Sequence, residues 1–133
     1  MLTNQVIQKT IQDIKRVSGY EISLWGADGE SVASSASESE ALKDKVKSFI
    51  EDSEMEDISE RADEETALFA IYADSALEYV MALTGTGDDR MLAGRMGVIQ
   101  VVGLMKACGE QMDKDRFIQN LLLDNLLVVD IYN

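Results

Sequence analysis

The stretch Ala67–Gly87, ALFAIYADSALEYVMALTGTG, predicts the centre of the fold. Its first part, Ala67–Ala73, is apolar on both faces, which is typical of a central strand. Asp74–Ala76 favours a turn, and over Leu77–Thr84 the residues alternate with the two-residue period of a second strand. The stretch therefore predicts a β-hairpin within an antiparallel sheet.

The residues that precede this hairpin predict a helix followed by another hairpin. Apolar residues recur at helical spacing over Thr3–Val17, and Ser18-Gly19 ends that helix. Over Tyr20–Ala36, YEISLWGADGESVASSA, alternating residues flank the tight-turn pair Asp28-Gly29. Trp25 is out of phase with the apolar residues of its strand, so it either lines a pocket or covers the opposite face of the sheet.

Two further helices complete the pattern. Ser37–Glu40 has the spacing of a capping box and predicts the start of a helix whose apolar side runs to Ile50. The acidic stretch Glu51–Glu65 is interpreted as a loop with a short strand or turn. From Asp88 onward the pattern is helical. The order of elements predicts an α+β fold in which helices pack on one face of an antiparallel sheet.

Composition excludes several classes of function. The chain has 133 residues, the size of one domain. With 12 basic and 25 acidic residues its net charge is -13, so it should repel phosphate and make no direct contact with nucleic acid or anionic membranes. The N-terminus has no signal-peptide pattern, no apolar run approaches the ~18 residues of a membrane span, and one cysteine allows no internal disulfide. These features predict a cytoplasmic protein.

No motif for catalysis, cofactor binding or metal binding stands out. The sequence has no histidine, which removes the commonest general base and transition-metal ligand. Gly85–Gly87 lacks the spacing and the lysine of a phosphate loop. No register of the acidic stretch meets the EF-hand pattern. Cys108 lies on an apolar helix stripe, which favours a buried thiol. We therefore predict a non-enzyme without cofactor or metal, and a carboxylate-based enzyme is a third, weaker hypothesis.

Three segments carry a likeness to a known family. They are GADGESVASS (Gly26–Ser35), ALTGTGDDRMLAG (Ala82–Gly94) and KDRFIQNLLLDNLLVVDIYN (Lys114–Asn133). In these the chain resembles the N-terminal sensory domain of carbohydrate-diacid (PucR-type) bacterial transcription regulators. The resemblance implies a PAS-like antiparallel sheet flanked by helices, with a long C-terminal helix. It also implies a sensory domain over residues 1–114 and, over 115–133, the start of a helical connector to a DNA-binding part.

The resemblance implies an effector-sensing and dimerisation module that signals through its C-terminal helix. The family's own ligand residues are not carried over, because SASESEALKDKV (Ser35–Val46) stands where the family has its Arg and His-Glu-Gly positions. If a small anion binds, the polar donors nearest the first hairpin are predicted to be Ser34, Ser35, Lys43 and Arg61. The alternative interpretation is that all four are solvated.

An apolar stripe on the C-terminal helix predicts a homodimer. It is longer than a small sheet can cover. The predicted interface residues are Val98, Val102, Met105, Met112, Phe117 and Leu121.

The same order of elements also describes roadblock- or longin-like scaffold domains, which dimerise and bind small GTPases or motor subunits without an effector pocket. A cavity beneath the sheet would favour the sensor, and a sheet filled with side chains would favour the scaffold.

Overall fold

The computed structural model describes residues 3–37 and 39–121, with side chains described as far as Cys108. One compact unit of the described chain is Thr3–Val102, and the described residues from Gly103 onward belong to a second unit. The sheet and its core belong to the first unit. The elements are α1 (Asn4–Ser18), β1 (Glu21–Gly26), β2 (Ser31–Ser34), α2 (Glu40–Met55), β3 (Glu60–Ala62), β4 (Thr66–Ala73), β5 (Ala76–Thr84) and α3 (Arg90–Leu121).

The five strands form one antiparallel sheet in the order β2-β1-β5-β4-β3, which confirms the predicted α+β class. The predicted hairpin is β4–β5, and β5 lies at the centre of the sheet. Its turn places Asp74 and Ser75 at φ values of 54° and 69°. Two successive residues with positive φ match the twist of the flanking strands, which is why a two-residue turn fits here.

Helices cover both faces of the sheet, so the prediction of helices on one face is wrong. Helix α2 packs on the face that carries Trp25, Leu68, Val80 and Ala82. Helices α1 and α3 pack on the opposite face. Because strands alternate, two-sided cover requires apolar residues at successive positions, and Val80–Leu83 is buried throughout. The buried residues on the α1 and α3 side include Ile7, Ile11, Ile22, Leu24, Phe69, Met81, Leu83 and Val101.

Helix α3 approaches the sheet closely through two glycines. A Cβ atom at Gly94 would overlap the ring of Phe69, and one at Gly97 would lie 2.9 Å from Sδ of Met81. Any side chain at Gly94 would therefore push the helix away from the sheet or displace the ring. The glycines let the helix backbone take the place that a side chain would fill.

Some predicted boundaries change in the structure. The N-cap of α2 is Ser39, whose side chain accepts from the backbone N–H of Leu42, and not Ser37. Helix α2 continues into the acidic stretch as far as Met55, and the short strand expected there is β3. The predicted domain boundary at 114/115 falls within α3, and it stays a prediction.

One segment of α3 is more apolar than the sequence analysis recognised. Arg90–Cys108 is, by length and composition alone, apolar enough to cross a membrane. Within the first unit, however, this helix packs on the sheet through Gly94, Gly97 and Val101, as the core helix of a folded domain does. The segment is mostly unburied among the described residues, so much of its apolar surface has no cover there.

Candidate functional site

The two serines predicted to bind an anion have partners within the chain. The hydroxyl of Ser35 donates to Oε1 of Glu21 (2.6 Å) and accepts from the backbone N–H of Ile22 (2.9 Å). The hydroxyl of Ser34 donates to the carbonyl of Ala36. Both side chains therefore stabilise the end of the first hairpin.

The two predicted cationic donors are paired as well. Lys43 on α2 lies 3.7 Å from a carboxylate oxygen of Glu30 in the first hairpin. Arg61 on β3 forms an ion pair with Asp52, and its guanidinium lies over the ring of Phe49 at 5.4 Å from the centroid. The aromatic face and the carboxylate together hold this guanidinium against α2.

The four residues do not converge on one site. Ser34 is on β2 and Arg61 is on β3, at opposite edges of the five-stranded sheet. Four strand spacings of ~4.8 Å separate these edges by roughly 19 Å, farther than one small anion reaches. Anion binding by any of them stays a prediction.

Side chains fill the space between α2 and the sheet. Trp25 is 1% exposed and lies in this layer, so it covers the opposite face of the sheet and does not line a pocket. Its indole N–H donates to the hydroxyl of Ser23 at 2.8 Å, which satisfies the one polar atom of the ring. Fully buried aliphatic and aromatic residues occupy the rest of the layer, and they include Val46, Phe49, Leu68 and Val80.

The predicted dimer interface lies only partly within the described side chains. Val98, Val102 and Met105 are half-buried on α3. The side chains of Met112, Phe117 and Leu121 lie outside the described residues. This interface stays a prediction.

The β2 edge of the sheet is covered by a side chain of α1. The Gln8 amide donates through Nε2 to the carbonyl of Ser34 (2.8 Å) and accepts through Oε1 from the N–H of Ser34 (3.3 Å). These backbone groups point away from β1, because the neighbouring residue Ser35 is the one that bonds to β1. Gln8 thus occupies the place that another strand would take.

The β3 edge is open within the described residues. Ser59 and Asp63 bond to β4 through Ala70 N–H (2.9 Å) and Thr66 O (2.8 Å). In an antiparallel ladder the bonded residues alternate, so the backbone N–H and C=O groups of Glu60 and Ala62 point outward. A short edge strand with outward polar groups is a template for pairing with another strand.

The surface beside this edge carries both signs of charge. A shallow depression between α2 and β3 contains Asp44, Lys45, Arg61 and Asp63. Lys45 pairs with Asp63 at 3.0 Å. The backbone N–H of Glu65 lowers the pKa of Asp63, and Lys45 adds to this, so the carboxylate stays ionised. A surface with balanced charges can face its own copy without net repulsion.

An ion pair holds β3 to the opposite helix layer. Arg95 of α3 contacts Glu60 through two hydrogen bonds of 2.7 and 2.8 Å, and hydrogen bonding to Arg95 lowers the pKa of Glu60. Because Arg95 fixes the Glu60 side chain and Arg61 is fixed on the other face, the short strand is anchored on both sides. The outer edge of β3 is therefore held in place although the strand has only three residues.

No family model matches this chain, and no curated protein matches it. Among solved structures it is similar to Myxococcus xanthus MglB, with a TM-score of 0.54, over 80% of this chain and 94% of that chain. The sequence identity is 8%. This likeness shows the fold. MglB has a roadblock/longin-like fold, the class that the alternative hypothesis named.

The sequence analysis missed Gln8 and Ala62. Gln8 has no motif, and its role depends on which strand α1 meets. Ala62 lies in a strand of three residues within an acidic stretch, which is too short to show a two-residue period. Outward backbone groups become visible only when the pairing of β3 with β4 is known.

Proposed function

We propose that this protein is a homodimeric protein-interaction scaffold of the roadblock/longin kind and not an enzyme. The observation that carries the proposal is the filled layer between α2 and the sheet, where Trp25, Val46 and Phe49 are almost fully buried. An effector sensor needs space for its ligand beneath the sheet. The likeness of the fold to MglB supports the same proposal. The partner would be a protein such as a small GTPase or a motor subunit.

Two copies would pair through the β3 edge. Gln8 covers the other edge, whereas Glu60 and Ala62 offer free backbone groups at this one. An antiparallel pair of β3 strands, related by a two-fold axis, would join two sheets into one. The charge-balanced depression beside the edge would then face its counterpart.

Light scattering tests this arrangement. At micromolar concentration the protein should have twice the 14.7 kDa chain mass. Ala62→Pro removes an outward N–H, and proline is tolerated at the free side of an edge strand, so the variant should fold but become monomeric. A monomeric wild-type protein contradicts the homodimer, and a dimeric Ala62→Pro variant contradicts this interface.

The sensory domain of a transcription regulator remains the second candidate, on the resemblance of three sequence segments. Calorimetry with glucarate and glycerate separates the two functions. The scaffold proposal expects no binding tighter than about millimolar, which corresponds to about -4 kcal/mol. Micromolar binding that is lost on Ser35→Ala would favour the sensor and refute the scaffold.

A further inference from the structure

A groove runs along the seam between α1 and α3, within the unit Thr3–Val102. Its volume is about 420 Å³, and its walls include Ile14 and Val17 of α1 and Leu92 and Met96 of α3. Val17 is 84% exposed and Met96 is 62% exposed. The groove is therefore an apolar surface that the described residues leave open to solvent.

The large apolar residues of α3 that are exposed follow a helical stripe of their own. Leu92, Met96 and Ile99 are spaced i, i+4 and i+7, and all three are exposed. Gly94 and Gly97 lie between them in sequence but face the sheet. Helix α3 is therefore apolar on a second side that its own sheet does not use. A contiguous apolar surface of this kind marks an interaction site.

Charge restricts what the groove accepts. The charged residues among those that line it are Asp13 and Asp89. Asp13 already pairs with Lys9 at 3.2 Å and with Arg16 at 3.0 Å, whereas Asp89 accepts a hydrogen bond from the hydroxyl of Tyr20. The whole chain has a net charge of -13. An anionic lipid surface would meet repulsion at this charge, whereas a basic partner is attracted.

We propose that this groove binds an amphipathic, basic helix of a partner protein. The partner would place apolar residues at helical spacing against Val17, Leu92 and Met96, with lysine or arginine facing Asp89. The inference deepens the proposed scaffold function and rests on it. The groove lies on the α1 and α3 side of the sheet and the β3 edge is separate from it, so two copies would present two grooves.

Peptide binding to matched variants tests the proposal. The probe is a fluorescently labelled 18-residue peptide of leucine and lysine, with leucines at helical spacing, and a second peptide has glutamate in place of lysine. Met96→Glu places a carboxylate in the groove. Met55→Glu makes the same chemical change at a methionine that is 86% exposed at the end of α2. Fluorescence anisotropy at physiological salt gives the affinities.

The lysine peptide should bind wild type and Met55→Glu equally and Met96→Glu at least ~10-fold more weakly. The glutamate peptide should not bind. Leu92→Glu serves as the second groove variant, and a melting curve for each variant shows that it folds. Equal or tighter binding by all variants would mean that charge alone attracts the peptide, and equal loss in both methionine variants would mean that the loss is not specific to the groove. Either result would overturn the proposal.

The remaining outcomes separate this inference from the proposed function. A dimeric protein that does not bind the lysine peptide refutes the groove and leaves the scaffold standing. A monomeric protein that binds it refutes the homodimer alone. If Met96→Glu dissociates the dimer in light scattering, a second copy occupies the groove. If Met96→Glu abolishes binding to vesicles of phosphatidylcholine and phosphatidylglycerol but still binds the peptide, lipid occupies the groove. Either result overturns the proposal.

Discussion

Glu60 and Arg95 form the ion pair with the most favourable geometry among the described residues. Arg95 donates from two guanidinium nitrogens, which is the bidentate arrangement that arginine makes with a carboxylate. The hydrogen bond from Arg95 lowers the pKa of Glu60 below its ordinary value of 4.5. A lowered folded-state pKa means that the pair stabilises the fold above about pH 4.5 and that this stability is lost as the pH falls through the lowered pKa.

Glu60→Gln should therefore reduce the free energy of unfolding at pH 7 by ~0.2–1 kcal/mol, the range for a partly exposed pair. The difference from wild type should disappear as the pH falls through the lowered pKa of Glu60. Glu78→Gln removes an exposed carboxylate of β5 and should change little. Urea unfolding at several pH values measures the free energy of unfolding of both variants and of wild type. A difference that persists unchanged at acidic pH would show that Glu60 acts through packing and not through its charge.

At the residue scale, the sequence indicates which side chains are polar or apolar, but it does not indicate which residues they contact. Trp25 had two interpretations, because its neighbours in sequence do not reveal that α2 covers its side of the sheet. Ser34 and Arg61 are predicted to lie near one hairpin, because nothing in the sequence shows that three strands lie between β2 and β3. Polar side chains such as these form hydrogen bonds and ion pairs with residues that are distant in sequence. The hydrophobic periodicity of the sequence does not reveal these partners.

At the scale of elements, the close packing of α3 on the sheet depends on Gly94. Gly94→Ala should destabilise the fold by roughly 1–3 kcal/mol, because the added methyl group overlaps the ring of Phe69. Gly103 lies in the same helix, is exposed and has nothing within 4 Å of an added Cβ. Gly103→Ala should therefore stabilise the protein by up to ~1 kcal/mol through helix propensity. Urea unfolding compares the two variants. Two stabilised proteins would show that α3 does not approach the sheet this closely.

Most elements were predictable because their patterns are long. Helix α1 and the strands β4 and β5 have eight residues or more, enough for a period to appear. Ala67–Ala73 is apolar on both faces, and this pattern already requires a second helix layer, which the prediction of helices on one face does not provide. The start of α2 was misplaced by two residues because Ser37 and Ser39 are both suitable N-caps.

At the scale of the molecule, the described core lies within one unit. Its buried hydrophobic residues run from Ile7 to Val101, inside Thr3–Val102. The sequence predicted a domain of residues 1–114 and a connector from 115. The compact unit in the structure ends at Val102, and α3 continues to Leu121. Helical periodicity does not mark where a compact unit ends within a continuous helix.

The C-terminal segment provides the last test. Leu122, Leu126 and Val129 fall on one helical face in the sequence pattern, and these residues lie outside the described part of the chain. A protein that ends at Asp115 should keep its fold, because every buried core residue named above precedes that position. It should also stay dimeric if β3 edges form the interface. Thermal unfolding and light scattering measure both. Loss of the fold would show that residues 116–133 belong to the core. A folded monomer would instead support an interface built from Phe117 and Leu121 of α3, and it would contradict pairing through β3.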